Sequence, residues 1–247
     1  MNRLADTTWP EAAALAAAGA VLVIPVGATE QHGPHLPVTT DADIAVAVVD
    51  AAAATDPLLV VAPAVAFGSS GEHDGFAGTL SVGQDATEAL LVELGRSATH
   101  DFAHVVLASA HGGNARPVRR ALARLADEGH PVAGWSPAWD GDLHAGRTET
   151  SIMLAIDPTR VRLDAARPGD TRPLAVLLPL LEAGGVRAVS ANGVLGDPTG
   201  ASAAEGRALI ARAAADLAVT VAGLRRGNTC QKITDRGNTG RESGVRT

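Results

Sequence analysis

Short unbroken runs of Val, Leu, Ile and Ala alternate along this chain with longer Ala-rich stretches that carry charged residues at helical spacing. The runs at residues 20–26, 58–62, 104–110 and 131–135 predict strands. The runs at 58–62 and 104–110 are continuously apolar, which predicts strands covered on both faces. Helices are predicted over 10–18, 41–54, 85–99, 115–128, 148–156, 171–182 and 201–224. This alternation is the pattern of an α/β protein, a three-layer αβα sandwich with a mostly parallel central sheet. Ligands in such sheets sit beyond the carboxyl ends of the strands. The segments that follow Val26 and Ala110 are the most unusual in the chain and are predicted to meet at that edge. One domain is expected over residues 1–226, followed by a tail at 227–247 whose Gly, Asn, Thr, Arg and Ser have no apolar period and predict disorder.

Apolar residues make up 46% of the 247, enough for a substantial core, yet Phe, Trp and Tyr contribute only 2%, so that core must be built from small aliphatic side chains. Aromatic platforms for stacking bases or sugars are scarce as a result. The net charge of −7 supplies no basic footprint for nucleic acid or an anionic membrane. A single cysteine, Cys230, excludes an intrachain disulfide and a cysteine-based zinc site, and points to a reducing cytoplasm. The Ala-rich stretch 12–24 has the look of a secretory apolar region, but Asp6 and Glu11 interrupt its approach and Pro10 reads as a helix start. Cleavage near Ala28 would also fall against the chemical residues that begin at Glu30. No run is long enough to span a bilayer.

The densest group of possible ligands is Glu30, His32 and His35, followed by Asp41 and Asp43. In an extended segment positions i and i+2 share a side, so Glu30 and His32 can face one ion while His35 is out of phase. A carboxylate beside an imidazole suits zinc, manganese or iron(II) better than calcium or magnesium. Asp41 is expected at the start of the next helix, where it can cap that helix and bridge two ions. His111 follows an apolar strand on the turn Gly112-Gly113, and backbone freedom alone is an equally good reason for those glycines. Glu149 lies in a first helical turn, where the helix dipole alone favours a carboxylate. His144 lies just outside that helix on a loop, a place where histidines are often solvated bystanders.

Four motifs occur in order: Glu30-Gln31-His32-Gly33-Pro34-His35-Leu36-Pro37 with Asp41; Gly75-Phe76-Ala77-Gly78-Thr79; His111-Gly112-Gly113-Asn114; and His144-Ala145-Gly146 with Glu149-Thr150-Ser151. In order and spacing they resemble the creatininase family, over residues 21–158. The resemblance implies an αβα sandwich, a pair of divalent ions, hydrolysis of amide or cyclic amide bonds, and a homo-oligomer, a hexameric ring of protomers. It also implies that Glu30, His32, Asp41 and His111 are metal ligands, with Asp41 bridging. One departure stands out. Creatininase itself has a glutamate at the position of Gly113, where it binds the second ion; Glu149 is the candidate to replace it here. The loss argues against creatinine as substrate.

Length, the run from Pro25 to Pro37 and the run Gly71-Glu72-His73-Asp74-Gly75-Phe76 resemble a branch of peptidases that release a modified C-terminal residue pair from a small precursor peptide. A modified precursor peptide is thus the expected substrate. Creatinine and formamido-pyrimidine amidohydrolases are sister functions that the fold cannot separate. Two ions sharing Asp41 would activate a water and polarise the scissile carbonyl. His144 is the candidate general acid, since an ordinary imidazole near pKa ~6.5 exists in both forms at neutral pH. Gly112 and Gly113 could add backbone contacts to an oxyanion. Phe76, Trp135 and Trp139 could contact a substrate ring, although burial is the commoner fate of such residues. A rival from another class is a non-catalytic metal- or phosphate-binding module built on the Gly112-Gly113 turn, which lacks the lysine that such sites use.

Overall fold

The computed structural model describes residues 1–227. The expected tail lies, from residue 228 onward, outside the described residues. The strands are β1 (Asn2–Arg3), β2 (Val21–Val26), β3 (Leu59–Val61), β4 (His104–Ser109) and β5 (Val132–Trp135). They form one parallel sheet in the order β1-β3-β2-β4-β5. The helices are α1 (Trp9–Ala17), α2 (Thr40–Ala53), α3 (Gln84–Ala98), α4 (Ala115–Asp127), α5 (Arg147–Ile156), α6 (Leu174–Val189) and α7 (Ala203–Arg225).

Alternation along β2 explains the three layers. Val21 and Val23 join a core with Ile44, Val48, Ile152 and Leu217 of α2, α5 and α7. Leu22, Ile24 and Val26 point to the opposite face, where they meet Leu91, Val118, Leu122 and Leu125 of α3 and α4, with Leu15 of α1 at the margin. Burying each Val, Leu or Ile contributes about 1.5–3 kcal/mol before conformational entropy is set against it. Trp135, one of the candidate substrate contacts, takes the commoner course and fills the first core, with its indole N–H donating to Asp216 Oδ2 at 2.9 Å. No helix among the described residues is long and apolar enough to cross a membrane.

Pro25 sits in a central strand, where a missing N–H should break the ladder. It does not, because β3 ends at Val61 and the chain rejoins β2 only at Val65, whose N–H donates to the Pro25 carbonyl at 2.9 Å. The edge strand β1, two residues long, gave no hydrophobic run to detect. Helix α6 also departs from the expected 171–182. It begins only after Pro173 and continues to Val189, across a break at Gly185 with φ 67°. The Gly184-Gly185 pair reads locally as a stop; packing of the following turn onto the rest of the chain continues the element.

Strand order explains where the site is. From β2 the chain crosses to β3 on one side and then returns to β4 on the other, so β2 and β4 are neighbours whose connections leave in opposite directions. Val26 is in register with Ser109, so the loops after the two strands start side by side at a topological switch point.

Candidate metal centre

Gly27 is the first residue beyond β2, and a Cβ there would lie 2.4 Å from both Cα and N of Ala42. Only glycine lets the strand exit pass this close to the first turn of α2. That approach carries Asp41 to the loop bearing Glu30 and His32. The helix starts one residue earlier than expected, at Thr40, and Asp41 lies within it rather than at its cap. Its carboxylate consequently turns toward the site: Oδ1 is 3.3 Å from His32 Nε2 and Oδ2 is 3.1 Å from His111 Nδ1.

Second contacts orient each imidazole. His32 Nδ1 donates to the Glu30 carbonyl at 3.1 Å, which aims Nε2 at Asp41 and, at 3.9 Å, at Glu149. His111 Nε2 donates to the Ser69 carbonyl at 2.8 Å and lies 3.3 Å from Glu30 Oε2. Asn114 braces the same place, accepting from Ser69 N–H and donating to the Gly27 carbonyl, each at 2.9 Å. His144 is buried, not solvated; its Nε2 donates to the Gln31 carbonyl at 2.8 Å, and Nδ1 is 3.8 Å from Glu30 Oε1. The next residue, Ala145, has φ 53°, a conformation costing about 1 kcal/mol, and its N–H donates to Glu149 Oε2 at 2.6 Å. His35 faces away and shares a 2.9 Å hydrogen bond with Thr150 Oγ1.

Three participants went undetected in the sequence. The Gln31 amide donates to the Gly193 carbonyl at 3.0 Å and to His73 Nδ1 at 2.9 Å, tying two loops to the site. His73 Nε2 is 3.1 Å from Glu30 Oε1. Glu72 Oε1 is 3.7 Å from His111 Nε2. The run Gly71–Phe76 marked the segment, but neither residue has a local pattern that foretells its burial or direction.

Electrostatics follow from packing acids against imidazoles out of water. Burial opposes charge on His32, but Asp41, Glu149 and Glu30 prevail and lift its pKa to about 10. His111 is likewise raised well above the ordinary value, against burial, by Glu30 and Asp41. Asp41 is held well below the carboxylate range, because His32 and His111 outweigh its burial. His144 goes the other way: burial, reinforced by His32 and His73, keeps it neutral. Burial and His32 also hold His35 down, to about 4.

Both oxygens of Glu30, Nε2 of His32 and Oδ2 of Asp41 are buried with no hydrogen-bond partner. Buried polar atoms are rarely left so, and here they converge. Ligand atoms of Glu30, His32 and Asp41 lie within 4.8 Å of one another, as do those of Glu30, Glu72 and His111, of His32, His144 and Glu149, and of Glu30, His73 and His144. This donor set fits divalent ions that accept mixed nitrogen and oxygen ligands. Uptake must expel protons from His32 and His111.

The centre floors a cavity of about 350 Å³, reached by Glu30, Asp41, His111, His144 and Glu149. Gly112, Gly113 and Trp139 line it; its wall is formed by Leu143, Leu174, Leu178, Leu181, Val186 and Leu195. Phe76 does not line it. The ring packs instead against the cluster of Leu177, Val186 and Leu195, with the Arg187 guanidinium 5.6 Å above it.

A family described as creatininase, creatinine amidohydrolase, matches residues 5–221. The mycofactocin precursor peptide peptidase of Mycolicibacterium smegmatis is 50% identical over 198 residues, covering 77% of this chain and 80% of that protein. A crystal structure of creatinine amidohydrolase (creatininase) superposes with a TM-score of 0.74 at 26% identity, covering 90% of this chain and 97% of the other. A structure described as creatininase Mn gives a TM-score of 0.73 at 27% identity, with 89% and 96% covered.

Proposed function

The chain belongs to the creatininase family, and on that premise we propose that it is a metal-dependent amide hydrolase that cuts a modified precursor peptide near its C-terminus. The observation that carries this is the set of buried, unpartnered donors on Glu30, His32 and Asp41 gathered with His111 under an apolar-walled cavity. The relative named for a mycofactocin precursor peptide supports the substrate.

Glu30, His32, Asp41 and His111 are the residues to hold the ions, and Asp41 is suited to bridge because its two oxygens face different histidines. When bound there, divalent ions would polarise a scissile carbonyl and lower the pKa of a water toward neutrality. Zinc, manganese and iron(II) all suit the donor set. Glu149, whose carboxylate is fixed by the Ala145 N–H, adds a donor on the His32 side. The role of His144 changes with its environment. Burial keeps it neutral, so it is placed to accept at Nδ1, the nitrogen facing Glu30, the proton given up by the attacking water and to pass that proton to the leaving nitrogen. Its other nitrogen stays bonded to the Gln31 carbonyl, which holds the ring in place.

The cavity wall favours an apolar residue pair with an aromatic ring reaching Trp139. Among the described residues no Lys or Arg lines the cavity, and Glu182 lines it away from the ion-holding residues, so a residue pair without a free carboxylate is preferred there.

Metal-reconstituted protein is to be incubated separately with modified precursor, unmodified precursor, creatinine and a formamido-pyrimidine, and products followed by mass spectrometry. Release of the modified pair, with slower or no cleavage of the unmodified peptide, is expected. Efficient creatinine turnover with an inert modified peptide would overturn the peptide assignment and leave the amide-hydrolase reading standing.

A further inference from the structure

The space beside Gly113 is already filled. A Cβ built on Gly113 would lie 2.2 Å from Glu72 Oε1, 2.4 Å from His111 Nε2 and 2.4 Å from the Ser69 carbonyl. The carboxylate of Glu72 therefore occupies the volume that any side chain at 113 would need, next to the imidazole of His111. We infer that Glu72 is a metal-ligating residue, delivering from the Gly71–His73 turn a carboxylate that completes a subsite with Glu30 and His111. The inference rests on the metal-hydrolase reading and goes beyond the ligand set expected from the sequence.

Three observations support it. Oxygens of Glu30 and Glu72 and a nitrogen of His111 lie within 4.8 Å of one another, and both Glu30 oxygens are fully buried without a hydrogen-bond partner. The Glu72 side chain is 34% exposed and could turn to solvent, yet its Oε1 lies 3.7 Å from His111 Nε2.

The backbone that presents Glu72 is also pinned on both sides. Ser70 N–H donates to Ser81 Oγ at 2.9 Å, and His73 is held by Gln31. Gly185, at the break in α6, brings its backbone against the Glu72 carbonyl so closely that a Cβ there would be 2.7 Å away. A turn fixed by three separate elements can present a ligand with little further ordering. Glu149 does not duplicate this role, since it groups with His32 and His144 on the other side of Asp41.

The test uses the full chain, stripped by chelator and titrated with Co²⁺, reading affinity, ions bound per protomer and the visible cobalt absorption. Glu72→Gln keeps the shape of the side chain and removes its charge. It is expected to lose bound cobalt or to weaken uptake by on the order of 10–100-fold or more, the size found even for residues that only support a ligand, and to alter the cobalt spectrum. Asp74→Asn, on the same loop, is expected to match wild type. Wild-type affinity and spectrum in Glu72→Gln, or an equal loss in Asp74→Asn, would overturn the assignment while leaving the hydrolase reading intact. Failure of the wild type to take up cobalt would overturn both.

Discussion

Replacing Gly27 with alanine tests whether the approach of β2 to α2 assembles the site. The added methyl would sit 2.4 Å from the Cα and N of Ala42 and 2.8 Å from the carbonyl carbon of Asp41. Carbon atoms pack at about 3.5–4.0 Å, so strand exit and helix must separate by roughly 1 Å or more. The obstacle is backbone, so no rotamer change can relieve it. Overpacking of this kind costs about 1–3 kcal/mol, and a domain of this size loses roughly 2–4 °C in Tm per kcal/mol. The displaced segment carries Asp41, so the same shift opens the His32–Asp41–His111 contacts, and a misplacement near 1 Å can lower activity by about 10²-fold. Differential scanning calorimetry of metal-free protein reads the first effect, and ion content with kcat on the preferred substrate reads the second. A Gly27→Ala protein with wild-type Tm, full metal content and unchanged kcat would refute the claim that this contact sets the position of Asp41.

His144→Ala is expected to retain its ions while kcat falls by about 10²–10⁴-fold, the range for losing a proton-transfer group; parallel loss of metal would make His144 a ligand instead. Because the folded-state pKa of His35 is depressed to about 4, its contribution to stability is present above about pH 6.5 and is lost as pH falls toward 4. In metal-free protein, urea unfolding at several pH values should show a shallower decline over this window for His35→Gln than for wild type, by roughly 1–3 kcal/mol after solvent screening. Parallel declines would remove His35 as the cause.

The local pattern of the chain was enough to predict the layers. Continuous Val and Leu runs require cover on both faces, and helical segments between them supply it, so the αβα arrangement and its parallel strands follow from periodicity. The convergence of Glu30, His32, Asp41 and His111 was legible for a related reason: they crowd into two segments directly beyond strands, where such folds bind ligands. His144 and Glu149 were legible only through their family spacing, and the buried, neutral state of His144 was not.

What the tertiary structure alone decided is everything that depends on which distant segments touch. Strand order puts Val26 in register with Ser109; the two following segments were expected at one sheet edge, but pairing and register are set by contacts between distant segments. Gln31, Glu72 and His73 act across the site because the Gly71–His73 turn packs between the Glu30 loop and the break in α6. Phe76 and Trp139 are equally plausible substrate contacts as letters, yet Phe76 packs against the Leu177 cluster while Trp139 lines the cavity. Periodicity is set by neighbours three or four residues apart and can be read along the chain. The direction of a carboxylate is set by what fills the volume beside it, and at Glu72 that volume is open because residue 113, forty-one positions later, has no side chain.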